Sequence, residues 1–338
     1  MKKRILFKAI IFVLIIGITF VIDCTSDEVG EETILMPVKK GEAWGYASPN
    51  IDKEISCRYY DAWPFSEGLA AVSRKGKYGY INKSGRVVIR LKYDDVSDFS
   101  EGLTAVGKGE KWGYINKSGK VVIPFEYDEA YDFYEGLAAV CKDEKYGYID
   151  KSGKVVIPLE YDYVSDFSEG LAGVQKDEKC GYVNKSGKLI IPFVYDGAGV
   201  FSEGLAAVEK DSIWGYINKT GIKVIPLQYD YADDFSEGLA AVSFDGSDRY
   251  INKSGHEATS SGYAVAWPFS EGMAAVSTHG MKYAYIDKSG DEVISALYDI
   301  AYDFSEGMAA VQKGEKWGVI DKKGKTVIEF IYDDIKWP

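Results

Sequence analysis

Histidine is nearly missing: the 338-residue chain has two, His256 and His279. The four cysteines, Cys24, Cys57, Cys141 and Cys180, fall at unrelated spacings, so neither a metal site nor a cofactor is expected. The same shortage leaves no Ser-His-Asp or Cys-His arrangement, and there is no glycine-rich phosphate loop. The chain therefore reads as a non-enzyme. An excess of basic charge is lacking too, since 40 Lys and Arg against 52 Asp and Glu give a net charge of -12. Phosphate backbones need clustered, unopposed cations, so nucleic acid is not an expected partner. In the stretch from Phe99 to Tyr131, which recurs along the chain, Gly102, Gly107, Gly109, Gly113, Gly119 and Pro124 interrupt every possible helix, which excludes helical hairpins. What is abundant is turn formers with aromatics: Gly 36, Tyr 26, Phe 15 and Trp 7. That mixture favours many short strands.

The N-terminus carries an export signal. Lys2, Lys3 and Arg4 precede a charge-free run from Ala9 to Ile22, which is short for a membrane span of about 20 residues. Residues 1–23 are expected to be a signal peptide or membrane anchor, and 24–30 a polar tether. Cys24, directly after the apolar run, resembles the acceptor cysteine of bacterial lipoproteins, whose thiol is diacylated. Lipid anchoring, plain secretion and an uncleaved anchor all put the rest of the chain outside the cytoplasm.

From there one unit is copied in tandem. Phe65-Ser66-Glu67-Gly68-Leu69-Ala70-Ala71-Val72 returns with phenylalanines at Phe99, Phe133, Phe167, Phe201, Phe235, Phe269 and Phe304, mostly 34 residues apart. Laid in register, residues 31–338 hold nine units, because Leu35 to Tyr46 aligns with Leu103 to Tyr114.

Each piece of the Phe99 copy has a physical task. Phe99 is an apolar anchor, Ser100-Glu101-Gly102 a turn with a left-handed glycine, and Leu103-Thr104-Ala105-Val106 a strand whose small residues let a neighbouring layer approach. Lys111-Trp112-Gly113-Tyr114-Ile115 is a second strand, in which Gly113 marks a bulge or a ring lying over the backbone. Asn116-Lys117-Ser118-Gly119 is a hairpin turn closed by a left-handed glycine. Lys120-Val121-Val122-Ile123 is the third strand, and Pro124 ends it or confines it to an edge. Phe125 to Asp132 reads as an aromatic crossing to the next anchor. One unit cannot bury its own apolar face, so neighbours must stack.

The motifs Trp44-Gly45-Tyr46, Trp112-Gly113-Tyr114, Trp214-Gly215-Tyr216 and Trp317-Gly318-Val319, with the Asn-Lys-Ser-Gly turn and the Val-Ile-Pro strand, resemble the bacterial WG-repeat family, also described as KWG repeats. The resemblance implies an extracytoplasmic or multidomain bacterial protein with a binding or scaffolding role, and it supplies no catalytic residues. The expected fold is all-β: nine three-stranded hairpin repeats stacked as an open, curved β-solenoid. A closed β-propeller is the alternative, set second because propellers usually have four to eight four-stranded blades.

Binding residues are expected in two places. Repeated aromatics of the Tyr-Asp crossing, Tyr127, Tyr131, Tyr161 and Tyr163, could stack on sugar rings if exposed, or else form the core. The most irregular copy loses its Trp-Gly slot at Phe244, Asp245, Asp248 and Arg249, and replaces the apolar third strand with His256 to Gly262. Carboxylates such as Glu101, Asp128 and Asp132 recur in every unit; they read as backbone acceptors and solvent-facing groups, since no unit has the dense Asp-Gly pattern of a calcium loop. The expected function is that of an exported, membrane-tethered bacterial envelope scaffold that binds a protein partner. Glycan binding through surface aromatics is the alternative.

Overall fold

The computed structural model describes residues 34–49, 54–259, 262–278 and 282–337. The chain divides into two units, Met1–Glu32 and Thr33–Pro338. The first unit, with the expected signal or anchor, the tether and Cys24, lies outside the described residues. In the second, every regular element among the described residues is a β-strand.

Blade three shows the common plan. Strands Asp95–Val96, Leu103–Lys108, Lys111–Asn116 and Val121–Tyr127 pair antiparallel in that order. The Leu103–Val106 segment is buried on both faces, and Ala105 leaves room for the next sheet. The turn between the last two strands closes as its composition requires, with the Gly119 N–H donating to the Asn116 carbonyl and Gly119 at φ 77°. Pro124 sits within the fourth strand, at the sheet edge where its missing donor costs no ladder bond.

The architecture corrects the solenoid expectation. Asp334–Ile335 at the C-terminus pairs antiparallel with Met36–Lys40 at the beginning, as Val38↔Ile335 and Lys39↔Asp334. The array is a closed ring of nine sheets, a nine-bladed β-propeller in which both ends of the described chain complete blade one. The three-stranded unit is corrected with it. Eight blades have four strands, and the fourth comes from the Tyr-Asp crossing, often as a two-residue strand such as Asp95–Val96 or Tyr163–Val164.

Consecutive short strands are tied together. Ser66 Oγ donates to the Phe99 carbonyl and Ser100 Oγ to the Phe133 carbonyl, each at 2.6 Å. These ties mark the edge where blades converge on the axis; the opposite strand, with Val121 and Val122 exposed, is the rim.

Nine apolar clusters fill the nine blade interfaces. That between blades three and four joins Leu103, Ala105 and Tyr114 to Phe133, Ala138 and Val140. The closing interface joins Val319 and Tyr332 of blade nine to Met36, Val38 and Ile335 of blade one. Each anchor phenylalanine packs against the second tyrosine of the preceding blade, as Phe133 does on Tyr114 with centroids 5.0 Å apart at 61°. Edge-on pairs of this kind contribute about 0.5–1.5 kcal/mol beyond their buried area.

Gly113 is fixed by the rim strand. Pairing jumps from Trp112↔Tyr127 to Tyr114↔Ile123, so the rim strand arches over Gly113. A Cβ there would lie 2.6 Å from the Ile123 carbonyl oxygen and 2.8 Å from that of Pro124. Blade seven is the exception that follows from this geometry. Among the described residues it has three strands, Tyr231–Ala232, Leu239–Phe244 and Ser247–Asn252, its rim is reduced to the isolated bridges Ile251↔Glu257 and Asp248↔Tyr263, and Arg249 stands in the glycine slot.

Candidate functional site

Three positions of each repeat meet on the axial side. The first is the opening residue of the inner strand (Asp61 in blade two), the second lies two residues on (Trp63), and the third is the Trp-Gly slot (Tyr78). Trp63 Nε1 donates to Asp61 at 3.2 Å and the Tyr78 hydroxyl reaches the same carboxylate at 3.4 Å. Blade four repeats the arrangement, with the Tyr131 and Tyr146 hydroxyls both donating to Glu129, at 2.8 and 2.7 Å. Contacts continue into the next blade, since Tyr146 lies 6.2 Å from Tyr163 and Trp214 lies 5.7 Å from Tyr231. The result is a belt rich in aromatic and acidic side chains, broken at blade six, where the first two positions are Gly197 and Gly199.

In blade one the second slot holds Lys336. Its ammonium pairs with Asp61 and lies 5.1 Å from the Trp44 ring and 5.3 Å from the Trp63 ring. Acid and indoles together hold a cation more firmly than either does alone.

The residue before each anchor forms an inner acidic series: Asp98, Asp132, Asp166, Asp234 and Asp303, with Pro64, Val200 and Pro268 in the remaining described positions. Burial pushes Asp132 up to about 7, and the charges of Asp98 and Asp166 from the flanking blades add to the shift. Asp234 is raised to about 6, by burial first and by Asp233 second. Burial likewise raises Asp98, Asp166 and Asp303.

Between blades seven and eight the belt is indented. Asp248 replaces the usual aromatic of the Trp-Gly slot, and a depression of about 260 Å³ opens among Tyr231, Asp233, Asp248, Val265 and Trp267. Asp248 is set by hydrogen bonds from Ser243 Oγ at 2.5 Å and from the Ala266 N–H at 3.1 Å. Burial raises the Asp233 carboxyl, a hydrogen bond with Tyr231 opposes this, and the Asp248 charge raises it further.

The residues singled out from sequence are divided by the structure. Tyr127 and Tyr161 are 4% and 6% exposed and belong to blade interfaces, so they present nothing to a ligand. Tyr131 and Tyr163 are 42% and 59% exposed and flank Tyr146 on the belt. Asp248 faces the depression. Phe244 and Arg249 lie together elsewhere, the guanidinium 5.1 Å from the ring and bonded to Glu257 at 2.6 Å. Asp245 turns the hairpin at φ 53°, its N–H donating to Asp230 at 3.1 Å. Cys57, Cys141 and Cys180 are free thiols. Sequence reasoning missed Lys336, Trp267 and the pre-anchor aspartates as a set; the register of Asp, Pro and Val before each phenylalanine was the available signal.

The repeating carboxylates serve the ring. Asp128 accepts from Lys111 at 2.5 Å and from the Asp143 N–H at 2.8 Å. Glu101 accepts from the Gly136 N–H of the next blade at 3.1 Å and pairs with Lys151 at 2.9 Å, so it is an interblade tie as well as a surface group. Among the described residues no three His, Cys, Asp or Glu side chains converge on a metal-sized site.

Nine small antiparallel sheets, eight of four strands and one of three, closed by a terminal strand define a β-propeller built from one repeated sequence. The chain belongs to the WG-containing repeat family, whose model matches nine consecutive stretches from 44–78 and 78–112 through to 317–336. No curated protein matches the sequence. Among solved structures, a eukaryotic initiation factor is 12% identical, with 90% of this chain and 98% of that one covered and a TM-score of 0.63. BamB from Moraxella catarrhalis is 11% identical over 78% of this chain and 91% of its own, with a TM-score of 0.46. At this identity the likeness to the initiation factor is one of fold alone.

Proposed function

We propose that this propeller is a non-catalytic scaffold of the bacterial envelope, exported and tethered through its N-terminus, which docks a protein partner on its belt. The observation that carries the reading is the composition of the belt. Tyr131, Tyr163, Tyr231, Trp267 and Tyr302 are each between 39% and 59% exposed and share the belt with Asp61, Asp95, Glu129, Asp233 and Asp248. Exposed tyrosine and tryptophan on a rigid frame are the side chains that anchor protein interfaces, and the acidic groups favour a basic partner. The test is capture from the protein's own envelope fraction, with Tyr163→Ala and Trp267→Ala run beside the parent. A partner retained equally by all three refutes belt docking. Export and tethering are tested by fractionating cells that express the parent or Cys24→Ala; a protein that stays in the cytoplasm refutes both.

A glycan is the second reading, favoured by the Tyr131, Tyr146 and Tyr163 group with Glu129 beside it, since stacked rings next to a carboxylate suit a sugar face and its hydroxyls. A glycan array separates the two. Binding abolished by Tyr163→Ala supports the glycan, and a blank array leaves the protein partner.

A further inference from the structure

Two stretches of the belt are equivalent by repeat and differ in charge, the first pairing one ammonium with one carboxylate and the second setting two carboxylates side by side. Trp63 of blade two and Trp267 of blade eight occupy the same slot. Beside Trp63 the preceding blade supplies Lys336 and Trp44, and the ammonium rests between the two indoles on Asp61. Beside Trp267 the same two positions of the preceding blade are Asp233 and Asp248. The cation has been replaced by a carboxylate, and the indole by a shorter carboxylate that leaves the depression of about 260 Å³. Trp63 is half-buried, whereas Trp267 is 45% exposed and Tyr231 across from it 50%.

We propose that the depression between blades seven and eight receives a primary ammonium over the face of Trp267, the side chain of a lysine presented by the docked protein. The molecule already holds its own lysine against tryptophan at the interface of blades one and two, one third of the ring away. At the second place it retains the tryptophan, has Val265 where Asp61 stands at the first, sets the Asp233 and Asp248 carboxylates opposite and leaves the volume open. Two anions held side by side gain most from a ligand that is positive and compact. An aliphatic stem fits between Tyr231 and Trp267, and a cavity of this size suits a side chain better than a larger molecule. The inference rests on the partner-docking reading only for the source of the lysine.

The test uses the full chain and a small probe, N-acetyl-lysine N-methylamide, followed by calorimetry and by the indole resonances. Saturable millimolar binding with one probe per chain is expected. Asp233→Asn and Asp248→Asn should each weaken it about tenfold, and Nε-acetylation of the probe should abolish it. Asp248→Asn keeps one oxygen acceptor for the Ala266 N–H and turns its amide NH2 toward Ser243 Oγ, which can accept from it, and melting curves of both variants establish that they are folded. Lys336→Ala, which vacates the first cage, should raise the stoichiometry to two. Equal binding of the acetylated probe, tighter binding of the arginine analogue, or no loss in either aspartate variant would overturn the proposal. Partner capture is scored separately. A partner still held by Asp233→Asn, when the probe is not, overturns lysine as its contact, whereas probe binding without any captured partner supports the site and refutes docking.

Discussion

The Tyr114 hydroxyl in blade three donates a hydrogen bond to the Tyr131 carbonyl in blade four, at 2.7 Å. The same latch recurs from Tyr46 to the Trp63 carbonyl and from Tyr216 to the Asp233 carbonyl. The tyrosine that closes the Trp-Gly-Tyr motif thus binds blades one to eight each to the inner strand of the next, while blade nine has Val319 in its place.

Tyr114→Phe keeps the ring packing on Phe133 and removes only the latch. A loss of about 1–2 kcal/mol is expected in urea unfolding, because a half-buried carbonyl is left without its donor. An unchanged midpoint would show that water replaces the hydroxyl without cost.

Gly113→Ala and Gly107→Ala form a matched pair. At Gly113 the added methyl meets rim-strand carbonyls at 2.6 and 2.8 Å, whereas at Gly107 its nearest neighbour is the Trp112 ring at 3.4 Å. The first change should cost about 2–4 kcal/mol and the second less than about 1 kcal/mol. Equal melting temperatures would contradict the arching strand.

Glu101 stands at φ 51° and Gly102 at φ 86°, the two central residues of a two-residue turn that asparagine-glycine suits better. Glu101→Asn would ease the backbone but is too short to reach Gly136. A net loss of about 1 kcal/mol is expected, the lost charge-assisted bond outweighing the easier turn. Net stabilisation would show that turn strain is the larger effect.

Asp132 carries a pH dependence of stability. Its folded pKa of about 7 lies above the usual unfolded value of about 3.9. Between these values the unfolded chain has lost a proton that the folded chain keeps, so this group's contribution falls as pH rises from about 4 to 7 and is level on either side. Asp132→Asn should therefore match the parent near pH 3.5 and exceed it by about 1–3 kcal/mol at pH 8. A variant less stable at pH 8 would mean the carboxylate is held by a favourable partner.

Local chemistry was legible in the sequence where one residue alone decides it. The Phe133 anchor, the bulge at Gly113, the turn closed by Gly119 and the edge position of Pro124 all stand in the structure. Strand Asp95–Val96 was hidden because two residues carry no periodicity, and without it the unit counts as three-stranded. The pairing of Val38 with Ile335 leaves no local mark on either segment, and ring and solenoid share the same repeat. Tyr127 and Tyr131 look alike in one crossing, yet the first ends the rim strand pointing inward and the second lies on the exposed belt. For Asp248, the lapse in the motif was visible, while the cavity it leaves beside Trp267 depends on a neighbouring blade.

The closing strand has a consequence in time. Blades two to nine can each be completed from continuous chain, but the Gly41 N–H finds its acceptor, Asp333, 292 residues later. At a synthesis rate of about 5–20 residues per second, blade one waits on the order of tens of seconds for its last strand. Throughout that interval the Met36–Lys40 edge is an open template on which another nascent chain can pair. The hazard in making this ring therefore lasts from the synthesis of the Met36–Lys40 edge until Ile335 takes its place beside Val38.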